Sequence, residues 1–143
     1  LIFDEALILK QFRSAQLTAV TMAKISGATP ILLIQPNLIK TLPSGDAPFQ
    51  KEYIESIKKW GLSFEQYQSI YQKFLQAVRI IAKESNIPIV DLDQGIPSSP
   101  KYFKDLIHIN TAGSLMAAQL ITNVLEKEIS KCLDKIKNVR CIE

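Results

Sequence analysis

Apolar residues recur along this chain in two rhythms, and the alternation between them predicts the order of its elements. Residues 5–26 place Leu9, Phe12, Gln16, Ala19, Val20 and Ala23 at helical spacing, with Met22 beside them. That spacing predicts a helix. Gly27 ends it, because glycine accepts the left-handed C′ conformation at no steric cost. Pro30 then introduces ILLIQ, residues 31–35. A mostly apolar run between two prolines, with little alternation, predicts a strand buried on both faces, as in a parallel sheet.

The same pair of rhythms returns downstream. Ser63 and Gln66 form a capping box. Behind it Phe64, Tyr67, Ile70, Tyr71, Phe74, Leu75, Val78, Ile81 and Ala82 make one broad apolar stripe, which predicts a helix over 63–85. Asn86 and Pro88 mark its end. IPIVDL, residues 87–92, predicts a second buried strand that carries Asp91 and Asp93 toward the C-terminal edge of the sheet. Residues 94–104, with Gly95, Pro97 and Pro100, read as loop. Asn110 or Thr111 caps a last helix running toward Ile136. Its apolar side is read as Leu115, Ala118, Ile121, Val124, Leu125 and Ile129, with Leu120 at the flank.

Helix, strand, helix, strand, helix implies an α/β chain with parallel strands and right-handed crossovers. Two strands are few for such a layer, since buried peptide groups need partners. The pattern asks for more sheet, from before residue 1 or from another chain. Residues 36–62 break the rhythm with Pro36, Pro43, Gly45, Pro48 and Gly61, and FQKEYIESIKKW between them predicts a short helix. This stretch leaves the C-terminal end of the first strand, where open α/β sheets place ligands. It reads either as a lid or substrate wall or as an excursion without a role. Phe49, Tyr53 and Trp60 either line a pocket or hold the loop to the core.

Composition narrows the classes. With 143 residues, 47% of them hydrophobic, the chain supports one modest core. The net charge is +3, and its basic excess lies after residue 126 among Lys127, Lys131, Lys135, Lys137 and Arg140. Acidic neighbours dilute that excess, so it reads as a solvated face and no nucleic-acid partner is expected. No apolar run approaches the roughly 18 residues that span a bilayer, so no transmembrane segment is expected. No secretory signal is visible and the sequence opens without Met, which leaves the compartment open; an extracytoplasmic or secreted setting is the working expectation. Cys132 and Cys141 match no zinc spacing, and one histidine cannot complete such a site. They are read either as a disulfide closing a short C-terminal loop or as two unrelated thiols.

Candidate chemistry rests on the single histidine, His108. Asp105 lies three residues earlier, and in a turn it can fold back to accept a hydrogen bond from the imidazole. That bond would fix the tautomer and leave the other ring nitrogen as a general base. Taken alone, Asp-x-x-His is weak evidence, because a lone histidine near a helix start is more commonly a surface or packing residue. The block DLIHINTAGSLMAAQLI, preceded by ATPILLIQP and IPIVDL, resembles the SGNH or GDSL-type esterase and lipase family. The last block of that family is Asp-x-x-His followed by a helix that often opens on a small residue or glycine, here Gly113.

The resemblance spans nearly the whole chain, although only Asp-x-x-His is specific. It implies a three-layer α/β/α flavodoxin-like fold with a parallel sheet, of which residues 1–143 would be the C-terminal part of a single domain. It implies Asp105 and His108 as the acid and base of serine-dependent ester hydrolysis. The substrate would be a small acyl or acetyl ester, on a lipid or a carbohydrate, with no metal or organic cofactor. The partner would be the N-terminal half of the domain or another copy of the chain. The departures are the missing Gly-Asp-Ser and Gly-x-Asn-Asp blocks. PSGD at 43–46 has those letters in another order, so Ser44 is not assigned as nucleophile, and Asn37 lacks the context for an oxyanion role. The chain alone is therefore expected to be inactive. The alternative is a catalytically degenerate domain of the same family that binds a ligand or a protein.

Overall fold

Each long helix is delimited by the residues that can satisfy its ends. In a computed structural model, residues 4–41 and 48–140 are described, with side-chain surroundings for all of these except 41–52 and 135–140. Helix α1 spans Glu5–Ile25, and the Asp4 carboxylate accepts from the Leu7 amide at 2.9 Å. It closes with Gly27 at φ 79°, while the Ala28 amide donates back to the Ala23 carbonyl at 2.9 Å. Helix α2 covers Pro48–Lys59. Helix α3, Phe64–Glu84, opens on the complete Ser63–Gln66 capping box and ends at Asn86, whose φ of 50° does the work of a glycine.

Strands β1, Leu32–Ile34, and β2, Ile89–Asp91, lie side by side in parallel, as the crossover reading expects. Leu32, Leu33 and Ile34 face Ile89, Val90 and Asp91 respectively. One sheet face carries Ile34, Leu32 and Ile89 onto Leu75 and Val78 of α3 and Phe12 of α1. Phe12 meets Phe74 edge to face at 4.7 Å between centroids. The other face carries Val90 into a second cluster with Leu38, Ile39, Leu92, Ile96, Phe103, Leu106 and Ala117. Ala117 belongs to the last helix, α5, Thr111–Arg140, which Asn110 caps by accepting from the Gly113 amide at 3.1 Å.

Two expectations are corrected here. Helices dominate the chain, and the sheet is open and two-stranded among the described residues. It is not the multi-stranded sheet of a three-layer α/β/α flavodoxin-like SGNH hydrolase fold. Two apolar runs reproduce the local look of such a sheet without its extent. The second correction concerns α5. Ala117, Leu120, Ile121 and Val124 face the body of the protein, whereas Leu115, Ala118, Leu125 and Ile129 are exposed. The last helix therefore has two apolar stripes, which the single-stripe reading merged. Residues 94–104 are also less irregular than expected. The one-turn helix α4, Leu92–Gly95, follows β2 directly, and Pro100–Tyr102 form a 3₁₀ turn.

The strand ends are clamped by a buried polar network. The Asp93 side chain is 5% exposed. One of its carboxylate oxygens accepts from Asn37 Nδ2 at 2.9 Å and Lys40 Nζ at 2.8 Å, and the other accepts from Arg79 Nη2 at 2.9 Å. Arg79 also grips Asp91 through Nε at 2.7 Å and Nη2 at 3.2 Å. Its guanidinium is held above its ordinary pKa, chiefly by the Asp91 hydrogen bond, with burial opposing and Asp93 adding. Asn37 in turn accepts from the Ile39 amide at 3.0 Å. Segments leaving β1 and β2 and the C-terminal part of α3 thus meet at one carboxylate. Removing one partner from a buried ion pair leaves the others uncompensated. Asp93→Ala should lower the unfolding free energy in urea by about 3 kcal/mol, the low end of that class because Lys40 and Arg79 keep some solvent. Adding Arg79→Met should restore part of the loss.

Candidate functional site

The loop between α4 and α5 is tied back on itself, and this places the one histidine. Phe103 and Ile109 form an antiparallel bridge, and the Lys104 amide donates to the His108 carbonyl at 2.8 Å. At the tip, one Asp105 oxygen accepts from the amides of Ile107 and His108 at 2.9 and 2.8 Å. The other lies 2.7 Å from His108 Nδ1, within the range expected from the i−3 spacing. Burial pushes the Asp105 carboxyl up, but the two amides and the imidazole outweigh it and hold the group below its ordinary value. Gly113 lets α5 begin against this loop, since a Cβ there would collide with the Tyr102 carbonyl oxygen. The loop is fixed to the strand end by the Leu38 amide on the Leu106 carbonyl at 2.8 Å and by Gln35 Nε2 on the Ile107 carbonyl at 3.2 Å.

The pair is oriented but solitary. The His108 side chain is 66% exposed, and among the described residues no serine, threonine or cysteine is bonded to its ring. Asp91 and Asp93 reach the C-terminal edge of the sheet, as expected, but they serve Arg79 and Lys40, not a histidine. Ser44 lies outside the described residues. Cys132 is an exposed free thiol, and Cys141 lies outside the described residues. Among the described residues no cluster of three acidic, histidine or cysteine side chains forms a metal site, and no helix is long and apolar enough to cross a membrane.

A different feature is the larger one. Along the side of β1 away from β2 runs an apolar groove of about 660 Å³, floored by Leu32–Gln35 and walled by Phe12, Trp60, Tyr71, Phe74 and Val78. Its volume falls within the range of small-molecule and cofactor sites. Leu32 donates to the Pro88 carbonyl, so alternation turns the N–H and C=O of Leu33 away from β2. Leu33 itself is 49% exposed. Trp60, Tyr67, Tyr71 and Tyr53 form a chain of ring contacts, with centroids 5.8 to 6.1 Å apart, at one end of the groove. The hydroxyls of Tyr53 and Tyr67 are 2.8 Å apart. Burial, then the Tyr67 hydrogen bond, raises Tyr53 above the ordinary tyrosine range, and burial, then Tyr67 and Asp93, pushes Tyr71 up to about 12. Both stay neutral near pH 7, as polar contacts and not as bases.

The stretch 36–62 therefore contributes a wall through Trp60. Tyr53 packs on Tyr67, and the side chain of Phe49 lies outside the described residues. No motif announced the groove. The signal was available in an apolar run, residues 31–35, for which only one partner strand could be named.

Compared with protein-family models, curated proteins and solved structures, the chain matches none. The resemblance to SGNH or GDSL-type hydrolases is corrected accordingly. It rested on Asp-x-x-His, and local geometry accounts for that motif as the tip of a closed loop. No nucleophile elbow and no Ser-His-Asp arrangement occurs among the described residues, and the sheet lacks the strands such a site is built on. Serine-dependent ester hydrolysis is not supported by this architecture. The Asp105 geometry has a testable consequence for stability. Its folded pKa is lowered, so its contribution is present above the unfolded value near 3.8 and is lost as pH falls through the folded value. Asp105→Ala should cost about 1 kcal/mol at pH 7, comparable to a lost cap, with the difference from the parent closing below pH 3.8. Thermal melts of both proteins across pH 2–7 check this.

Proposed function

We propose that this is a binding domain that takes an extended apolar polypeptide segment along β1. The observation that carries the reading is the coincidence of an open strand edge with an apolar groove. Unpaired backbone groups favour a ligand that supplies its own N–H and C=O groups, and the groove favours apolar side chains flanking them. A compact small molecule would fill the groove but leave the Leu33 peptide groups unmet. Main-chain pairing supplies affinity in such complexes, and pockets for alternate side chains supply selectivity.

Asp105 and His108 enter this reading as a polar contact. Gln35 lines the groove and is bonded to the loop that carries them. We assign His108, held by Asp105, to the end of the bound segment. It then serves recognition and not turnover.

Calorimetric titration with a short peptide of alternating Val and Thr tests the proposal. The expected result is micromolar binding, weakened about tenfold or more when the central peptide nitrogens are methylated. Leu33→Lys should weaken binding similarly, and His108→Ala should weaken it a few-fold. Equal affinity for the methylated peptide, or no binding by the parent protein, would reject strand addition.

A further inference from the structure

The loop that carries Asp105 and His108 bears more positive charge than its own bonds neutralise. The antiparallel bridge between Phe103 and Ile109 sets Lys104 opposite His108, and alternation turns both side chains away from the side of the buried Phe103. Lys101 and Lys104 are exposed, and among the described residues neither is ion-paired. Lys101 lies over the Tyr102 ring, 5.4 Å from its centroid. Asp105 is the one carboxylate in this loop, and both of its oxygens are occupied, one by two amides and the other by the imidazole. With the ring protonated, three cations stand against one carboxylate that is already satisfied.

The loop also has a fixed place beside the groove. Gln35, which lines the groove, donates to the carbonyl of Ile107, next to His108. Burial, Tyr67 and Tyr71 raise the Tyr53 phenol, and the Asp105 charge adds to them, so the loop tip lies close to the aromatic end of the groove. Asp105 holds Nδ1 of a side chain that is 66% exposed, which leaves Nε2 for a ligand.

We propose that this end of the groove takes a carboxylate of the bound segment, either its C-terminus or an acidic side chain near its end. The inference rests on strand addition along β1 and names the group at the end of the added strand. A carboxylate accepts from Nε2–H only when the imidazole is protonated, and Asp105 on Nδ1 stabilises that form. Where the histidine is neutral, binding therefore takes up one proton from solvent, and Lys104 on the same side of the bridge adds attraction. A hydroxyl or an amide also fits the ring, but a neutral group gains nothing from Lys104 and takes up no proton. Of the elements packed around the loop, α2 brings the neutral Tyr53 with Glu55 exposed, the segment after β1 brings Lys40 held by Asp93, and α5 carries no charge before Glu126. Among the described side chains, Asp105 is the only anion bonded to the ring.

The test is calorimetric titration of the full chain with three peptides of alternating Val and Thr, at pH 6 and pH 8. One is blocked at both ends, one has a free C-terminal carboxylate, and one is blocked with a terminal glutamate. The expected result is that a carboxylate peptide binds about tenfold tighter than the blocked one at pH 6 and about twofold tighter at pH 8, with a heat that varies with the ionisation enthalpy of the buffer. A gain confined to the free C-terminus assigns the site to chain ends and sets the added strand parallel to β1. A gain from glutamate assigns it to an acidic side chain. His108→Gln should remove the pH dependence of the preference, and Lys104→Gln should reduce the preference about twofold. Both positions are exposed, so circular dichroism should show the fold retained. Binding of the blocked peptide with no gain from either carboxylate overturns the carboxylate site and leaves strand addition standing. A preference with unchanged pH dependence in His108→Gln overturns it as well, and binding of none of the three peptides overturns both readings.

Discussion

Asp93 sits where both strands end, and its carboxylate holds together the segments that leave the sheet. Two three-residue strands bring few ladder hydrogen bonds, and a two-stranded sheet has little independent stability. What fixes β1 against β2 is therefore found beyond the ladder. Arg79 reaches from α3 to both aspartates, and Asn37 and Lys40 reach Asp93 from the segment after β1. The donors and acceptors match closely enough that the charges are neutralised internally. This matters for function as well as stability. The sheet edge that would attract ligands in an open α/β protein is here filled with its own ion pairs. The accessible surface is displaced sideways, to the free edge of β1.

That displacement separates two features that resemble one another in sequence. Asp105 and His108 have the spacing and the hydrogen bond of an oriented base, yet the ring faces solvent and no nucleophile approaches it among the described residues. The groove has no motif, yet it combines apolar walls, neutral phenols and a strand edge that no other strand pairs with among the described residues. An acid–base pair performs acyl transfer only beside a nucleophile and oxyanion donors. A strand edge in an apolar trough needs nothing further to bind a chain. The geometry for that reason favours recognition over turnover.

How far the sequence could be read depended on whether a feature was local. Gly27, the Ser63–Gln66 box and Asn110 act within a few residues of themselves, and each delimits the helix end that was expected. The two strands and their parallel pairing were also legible, because buried runs separated by a long helix leave few alternatives. The Arg79–Asp91–Asp93–Asn37 network was not legible, since its members are brought together only by the folded sheet. Nor was the number of strands, because an apolar run announces burial without saying what buries it. On α5, a buried apolar stripe and an exposed apolar flank overlap in one sequence, and only coordinates separate Leu120 and Val124 from Leu125 and Ile129.

Among the described residues β1 has one hydrogen-bonded neighbour and an open side. Amide hydrogen exchange of the free chain, resolved by residue, tests this most directly. Leu32 donates to the Pro88 carbonyl, and the parallel register turns the Ile34 amide the same way. Both amides should exchange slowly, while the Leu33 amide between them exchanges faster by about two orders of magnitude or more, and becomes protected when an extended apolar peptide is added. Leu33 exchanging as slowly as its neighbours in the free chain would show that the edge is already paired, and the proposed binding site would not exist.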